Sequence, residues 1–97
     1  MRVGVLRASL QVPGARSLKE KRRPLKRLIA GLQNAFHAAA AEVDAHDLHQ
    51  RAVVGVAVVA PDGERLSRLL AAIEDYLARD PDLPVLAIAR EHFSGPR

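Results

Sequence analysis

A chain of 97 residues, 48% of them hydrophobic, with three aromatics and no cysteine, has the size of a single domain over 1–97 and excludes a disulfide framework and any thiolate metal site or nucleophile. No stretch approaches the ~20 apolar residues of a membrane-spanning helix, and "MRVGVLRASLQVPG" lacks the apolar run and cleavage-like end of a signal peptide, so a cytoplasmic location with no membrane attachment is expected. The net charge of +4 is unevenly spread, with nine Lys/Arg against one acid in residues 1–36 and six against ten in residues 37–97. Such asymmetry points toward an acidic partner.

In chain order, residues 2–12 alternate: Gly4, Leu6, Ala8, Leu10 and Val12 fall on one face, and Val3, Val5, Arg7, Ser9 and Gln11 on the other. Period two predicts a strand, which Pro13-Gly14 ends. Ser17 and Glu20 have capping-box spacing, and Leu18, Leu25, Leu28, Ile29, Leu32 and Phe36 recur as a helix would place them, giving a helix over 18–36. Pro24 lies well inside it, so the helix either kinks there or ends and restarts. The alanines at 38–41 favour helix by propensity, and pattern alone extends the helix to about Ala41. Residues 52–60, "AVVGVAVVA", are apolar on both faces and read as a buried strand. Pro61-Asp62-Gly63 breaks it, and Asp62 can cap a helix over 63–79 marked by Leu66, Leu69, Leu70, Ile73 and Leu77. Residues 84–93 read as a last strand.

The stretches "GVLRASLQVPGARSLKEKRRPLKRLI" and "AEVDAHDLHQRAVVGVAVV", with the closing helix and strand, resemble the YlxP-like family of small uncharacterised bacterial proteins over nearly the whole chain. The resemblance implies a ferredoxin-like α+β fold, β-α-β-β-α-β, with a four-stranded antiparallel sheet and two helices on one face. It also implies that 38–44 is the second strand. Genes of the family tend to lie among those for translation and ribosome maturation, which implies an RNA- or ribosome-linked role. Pro24 and His49 depart from the family's pattern.

The charge-rich stretch "GARSLKEKRRPLKRLIAGL" packs seven cations around one carboxylate, Glu20. At about 100° per residue, Lys19, Arg22, Arg23, Lys26 and Arg27 lie opposite the apolar arc, Lys21 lies at its margin, and Arg16 extends the stripe into the preceding loop. A merely solvated face usually mixes signs in i,i+4 pairs. Here like charges repel at that spacing and crowd the positive end of the helix dipole. The stripe Arg16, Lys19, Arg22, Arg23, Lys26 and Arg27 is therefore the candidate anion-binding surface, with RNA phosphate as the first expectation and an acidic protein surface as the alternative.

No catalytic residue, metal site or cofactor is expected. Ser9, Ser17, Ser67 and Ser94 sit in no nucleophile elbow, and there is no phosphate-binding glycine loop. Glu42, Asp44 and His46 would point one way on a regular strand, but their spacing matches no established metal motif, and a polar loop between strands is the plainer reading, with Asp44, Asp47 and Arg51 pairing with the basic helix or capping loop amides. A second expectation concerns the sheet face left open by the helices. Without an aromatic cluster it suits protein contact better than base stacking. A homodimer is expected there, centred on Val3, Val5 and valines of the third strand, Val54, Val56 and Val58.

Overall fold

Period-two alternation becomes β1 (Arg2–Gln11), the first strand of the computed structural model, which describes residues 1–96. Pro13 and Gly14 turn the chain, with Gly14 at φ +77°, a conformation a Cβ would disfavour. Ser17 then caps α1 (Leu18–Phe36), its Oγ accepting from the Glu20 amide at 3.1 Å. The Glu20 carboxylate reaches back to the Arg16 amide, one residue further than the usual capping box. Helix α1 runs unbroken through Pro24, so the chain neither ends nor restarts there.

The helix stops at His37, whose left-handed φ of 51° turns the chain into β2 (Ala39–Asp44). The alanine run is thus strand, against its local propensity. Ala39–Glu42 pair in register with Val54–Ala57 of β3 (Arg51–Ala60), satisfying an edge of β3 that a longer α1 would leave bare. Asp62 caps α2 (Gly63–Ala78), accepting from the Arg65 amide at 2.8 Å, and β4 (Val85–Ser94) closes the chain.

The strands form one antiparallel sheet in the order β2-β3-β1-β4. This is the ferredoxin-like α+β arrangement the family resemblance implied, with each boundary within two residues of the expected one. Both helices lie on one side. Leu25, Leu28 and Leu32 of α1 and Leu66, Leu70, Ile73 and Leu77 of α2 close over Leu6, Ala8 and Leu10 of β1. Phe36 and Tyr76 meet edge to face between the helices, ring centroids 5.5 Å apart.

Register decides which valines of β3 face which side, and here one expectation fails. Directly opposed residues share a sheet face, and Val54, Val56 and Val58 oppose Ala8, Leu6 and Gly4, the core-facing residues of β1. Val54, Val56 and Val58 are 0%, 3% and 6% exposed, buried beneath the helices, and cannot form a dimer surface. The strand is apolar on both faces, so its sequence did not reveal the parity. The residues of β3 that join Val3 and Val5 on the open face are Val53, Gly55, Ala57 and Val59.

Two irregularities complete the sheet. The register of β4 slips between its partners Ser9 and Leu10, and that of β2 slips between Glu42 and Asp44. The second slip separates two residues expected to point together. Glu42 opposes core-facing Val54, whereas Asp44 opposes Val53 on the open side.

Candidate nucleic-acid interface

The seven cations of residues 16–27 fall into three groups in the structure. Lys21 is 2% exposed, and its Nζ sits among the Glu42 carboxylate at 2.8 Å and the carbonyls of Ala45, His46 and Arg51 at 3.1, 3.3 and 3.2 Å. It clamps the β2–β3 connection against α1 and is unavailable to a ligand. The clamp also holds the segment where Ala45 takes a left-handed φ of 58°, a strained conformation for a residue with a Cβ. Burial of an ammonium is tolerable only with such a full set of acceptors.

Arg27 forms the second group. Its guanidinium donates to both Asp80 oxygens at 3.2 Å and lies 3.2 Å from Asp82, both in the α2–β4 connection. The hydrogen bond to Asp80 raises the Arg27 pKa above its ordinary value, and the nearby Asp80 and Asp82 charges reinforce it against a smaller burial penalty. Arg27 was grouped with the open stripe by helical position, but the structure gives it a structural role: it ties α1 to the loop before β4.

The third group is Arg16, Lys19, Arg22, Arg23 and Lys26. All five are exposed, and none has an ion-pair partner among the described residues. Lys19, Arg22, Arg23 and Lys26 stand at i, i+3, i+4 and i+7, one side of two helical turns about 10 Å long. Arg23 also borders an open groove of about 450 Å³ between α1, the β1–α1 turn and the α2–β4 connection. Three of the nearby acids are engaged elsewhere, while Asp47 borders the same hollow as Arg16 without pairing to it. Glu20 caps the helix, Glu42 holds Lys21, and Asp44 pairs with Arg7 at 2.8 Å while accepting from the Ala45 amide.

The side chains of the acidic loop do not converge. Glu42 and Asp44 face opposite sides of the sheet, the His46 ring lies 3.2 Å from the Glu42 carbonyl oxygen, and no group of three ligating side chains converges among the described residues. Of the expected contacts of Asp44, Asp47 and Arg51, Asp44 caps the Ala45 amide and pairs with Arg7 of β1, and the link to the basic helix runs instead from Lys21 to Glu42 and the Arg51 carbonyl. Sequence reading placed Lys21 at the apolar margin and missed the clamp. The available signal was a lone cation on the core side of α1 and a carboxylate directly after the alanine run of β2.

A ferredoxin-like α+β domain with one strongly cationic helix is therefore the class to which fold and surface assign the chain. A family described as "Protein of unknown function (DUF503)" matches residues 3–90. The uncharacterised protein YlxP of Bacillus subtilis strain 168 is 33% identical over 78 residues, an alignment covering 76% of this chain and 85% of that protein. The chain belongs to the DUF503 family. Among the described residues, no helix is long and apolar enough to cross a membrane.

Proposed function

We propose that the protein is a non-enzymatic accessory factor that binds ribosomal or other structured RNA through phosphates, using Arg16, Lys19, Arg22, Arg23 and Lys26. One observation carries this reading. Four cations line two turns of an exposed helix without ion-pair partners among the described residues, while Glu20, Glu42 and Asp44 are committed to caps and clamps. Their mutual repulsion costs a few tenths of a kcal/mol per pair, and a polyanion would relieve it. The stripe supplies point charges and guanidinium forks but no stacking aromatic, so binding should track phosphate density and tolerate base sequence.

Titrating the chain with single-stranded or loop RNA over a range of salt tests the proposal. Contact with ~4 phosphates gives a log–log salt slope near −3, from about −0.7 per contact. Absence of binding to naked RNA at moderate ionic strength overturns it. Salt-sensitive capture by an acidic protein surface in the absence of RNA binding would favour an adaptor role instead.

A further inference from the structure

The face of the sheet opposite the helices has a surface of a different kind. Val59, Val3 and Phe93 lie in one cross-strand row at one end, with Val59 and Phe93 62% and 47% exposed. Beside them the floor is built of small residues: Ala39 and Ala57 oppose each other in one row, and Ala41 and Gly55 in the next. Val43, 51% exposed, leans over Gly55 so closely that a Cβ there would lie 2.8 Å from it. Shallow hollows of about 370 and 280 Å³ open on either side, both bordered by Val5 and Val43. Ridges and hollows therefore share one apolar patch.

We propose that a second copy of this chain covers that patch, forming a two-fold dimer in which the open sheet faces pack together. Two observations select this occupant. An isologous interface needs one patch to be complementary to itself, and protruding Val59, Phe93 and Val43 beside an Ala/Gly floor meet that need. The charge on the face is nearly balanced, with Arg7 paired to Asp44 and with Glu91 and Arg51 as remaining charges of opposite sign, so two copies do not repel there as they would through α1.

The size also suits. Three ten-residue strands about 33 Å long and the six-residue β2, about 4.8 Å apart, give a footprint on the order of 600 Å², close to the ~800 Å² per partner of a stable interface. Sheet-to-sheet packing leaves the helices outermost, so the dimer carries its two α1 stripes on opposite sides.

Sedimentation equilibrium of the nuclease-treated full chain at micromolar concentration tests this. The expected mass is twice the 10.5 kDa of one chain. Val59→Glu, at a position 62% exposed, retains the circular dichroism spectrum of the wild type and raises the dimer dissociation constant at least about a hundredfold, because each dimer would bury two unpaired carboxylates. Val5→Glu does the same at the centre of the face, and if that half-buried site unfolds, Val59→Glu alone decides. A wild-type chain that sediments as a monomer, or a dimer that persists in Val59→Glu, overturns the proposal. The readout is mass and not RNA affinity, so the result stands apart from the fate of the RNA-binding reading.

Discussion

The two helices lie on the same sheet face and both carry arginines on their solvent sides, yet their charges are arranged in opposite ways. In α2, Arg65 lies 3.6 Å from Asp62 and Arg68 pairs with Glu64 one turn earlier. Each cation is answered within its own helix or by its N-cap, the pattern of an ordinary solvated surface. In α1 the two answered cations, Lys21 and Arg27, are held by acids from other elements, and Lys19, Arg22, Arg23 and Lys26 are left without partners among the described residues. A count of basic residues would not separate the helices this way. The comparison teaches that a cationic stripe becomes a functional candidate only after its structural members are subtracted, and here the subtraction leaves a contiguous set.

The largest expected effect tests a structural member. Lys21→Met removes a buried ammonium and leaves the Glu42 carboxylate and three carbonyls short of a donor. Breaking a buried pair from one side costs about 3–5 kcal/mol, and the partial exposure of Glu42 places this case near about 3 kcal/mol. Urea denaturation should show it as a lower midpoint with little change in slope. A loss below about 1 kcal/mol would mean that the clamp is no more than a surface pair and that α1 holds its connection by packing alone.

Next comes the open set. Arg22→Gln with Arg23→Gln should weaken RNA binding by roughly tenfold or more and flatten the salt slope by ~1.4 units, two contacts at about −0.7 each. Stability should stay level or rise by a few tenths of a kcal/mol as repulsion is thinned. The matched control on α2, Arg65→Gln with Arg68→Gln, should leave both affinity and slope unchanged. Equal losses from the two double variants would reduce the α1 stripe to a share of diffuse positive charge. A loss of stability in the α1 variant with affinity intact would make Arg22 and Arg23 structural.

Much of this fold could be read from the residues. Alternation in β1, Ser17 and Asp62 as caps, and leucine spacing in both helices specify their elements locally, so the boundaries moved by two residues at most. What escaped is non-local. Alanines 38–41 favour helix on their own, and 39–41 become strand because β3 needs an edge partner. The parity of Val54, Val56 and Val58 was hidden because a strand apolar on both faces fits either register. The slip between Glu42 and Asp44 turns them to opposite faces, which no period-two count would anticipate. For the candidate site, helical spacing found the five open cations but could not identify Arg27 as paired, since Asp80 and Asp82 lie more than fifty residues away in the chain.

Arg27 therefore supports the smallest and most discriminating prediction. By helical position it belongs with Arg23, and on charge alone the two should contribute alike to RNA binding. Its guanidinium, however, already spans Asp80 and Asp82, and recruiting it to a phosphate would mean giving up two carboxylates for one phosphodiester. Arg27→Gln should accordingly leave RNA affinity within about twofold and the salt slope unaltered, well short of a lost contact at about 0.7 units. Its cost should fall on folding, at no more than about 1 kcal/mol, because the pair is half exposed and screened by salt. The sign with pH follows from the raised Arg27 pKa. A cation whose pKa rises on folding contributes stability at every pH below its ordinary range and loses it only on deprotonation above that range. The difference between wild type and Arg27→Gln should thus be constant from neutral to mildly alkaline pH, while added salt shrinks it. If Arg27→Gln instead reduces the salt slope as much as Arg23→Gln, the bridge to Asp80 and Asp82 opens on binding, and the working surface extends across to the connection before β4.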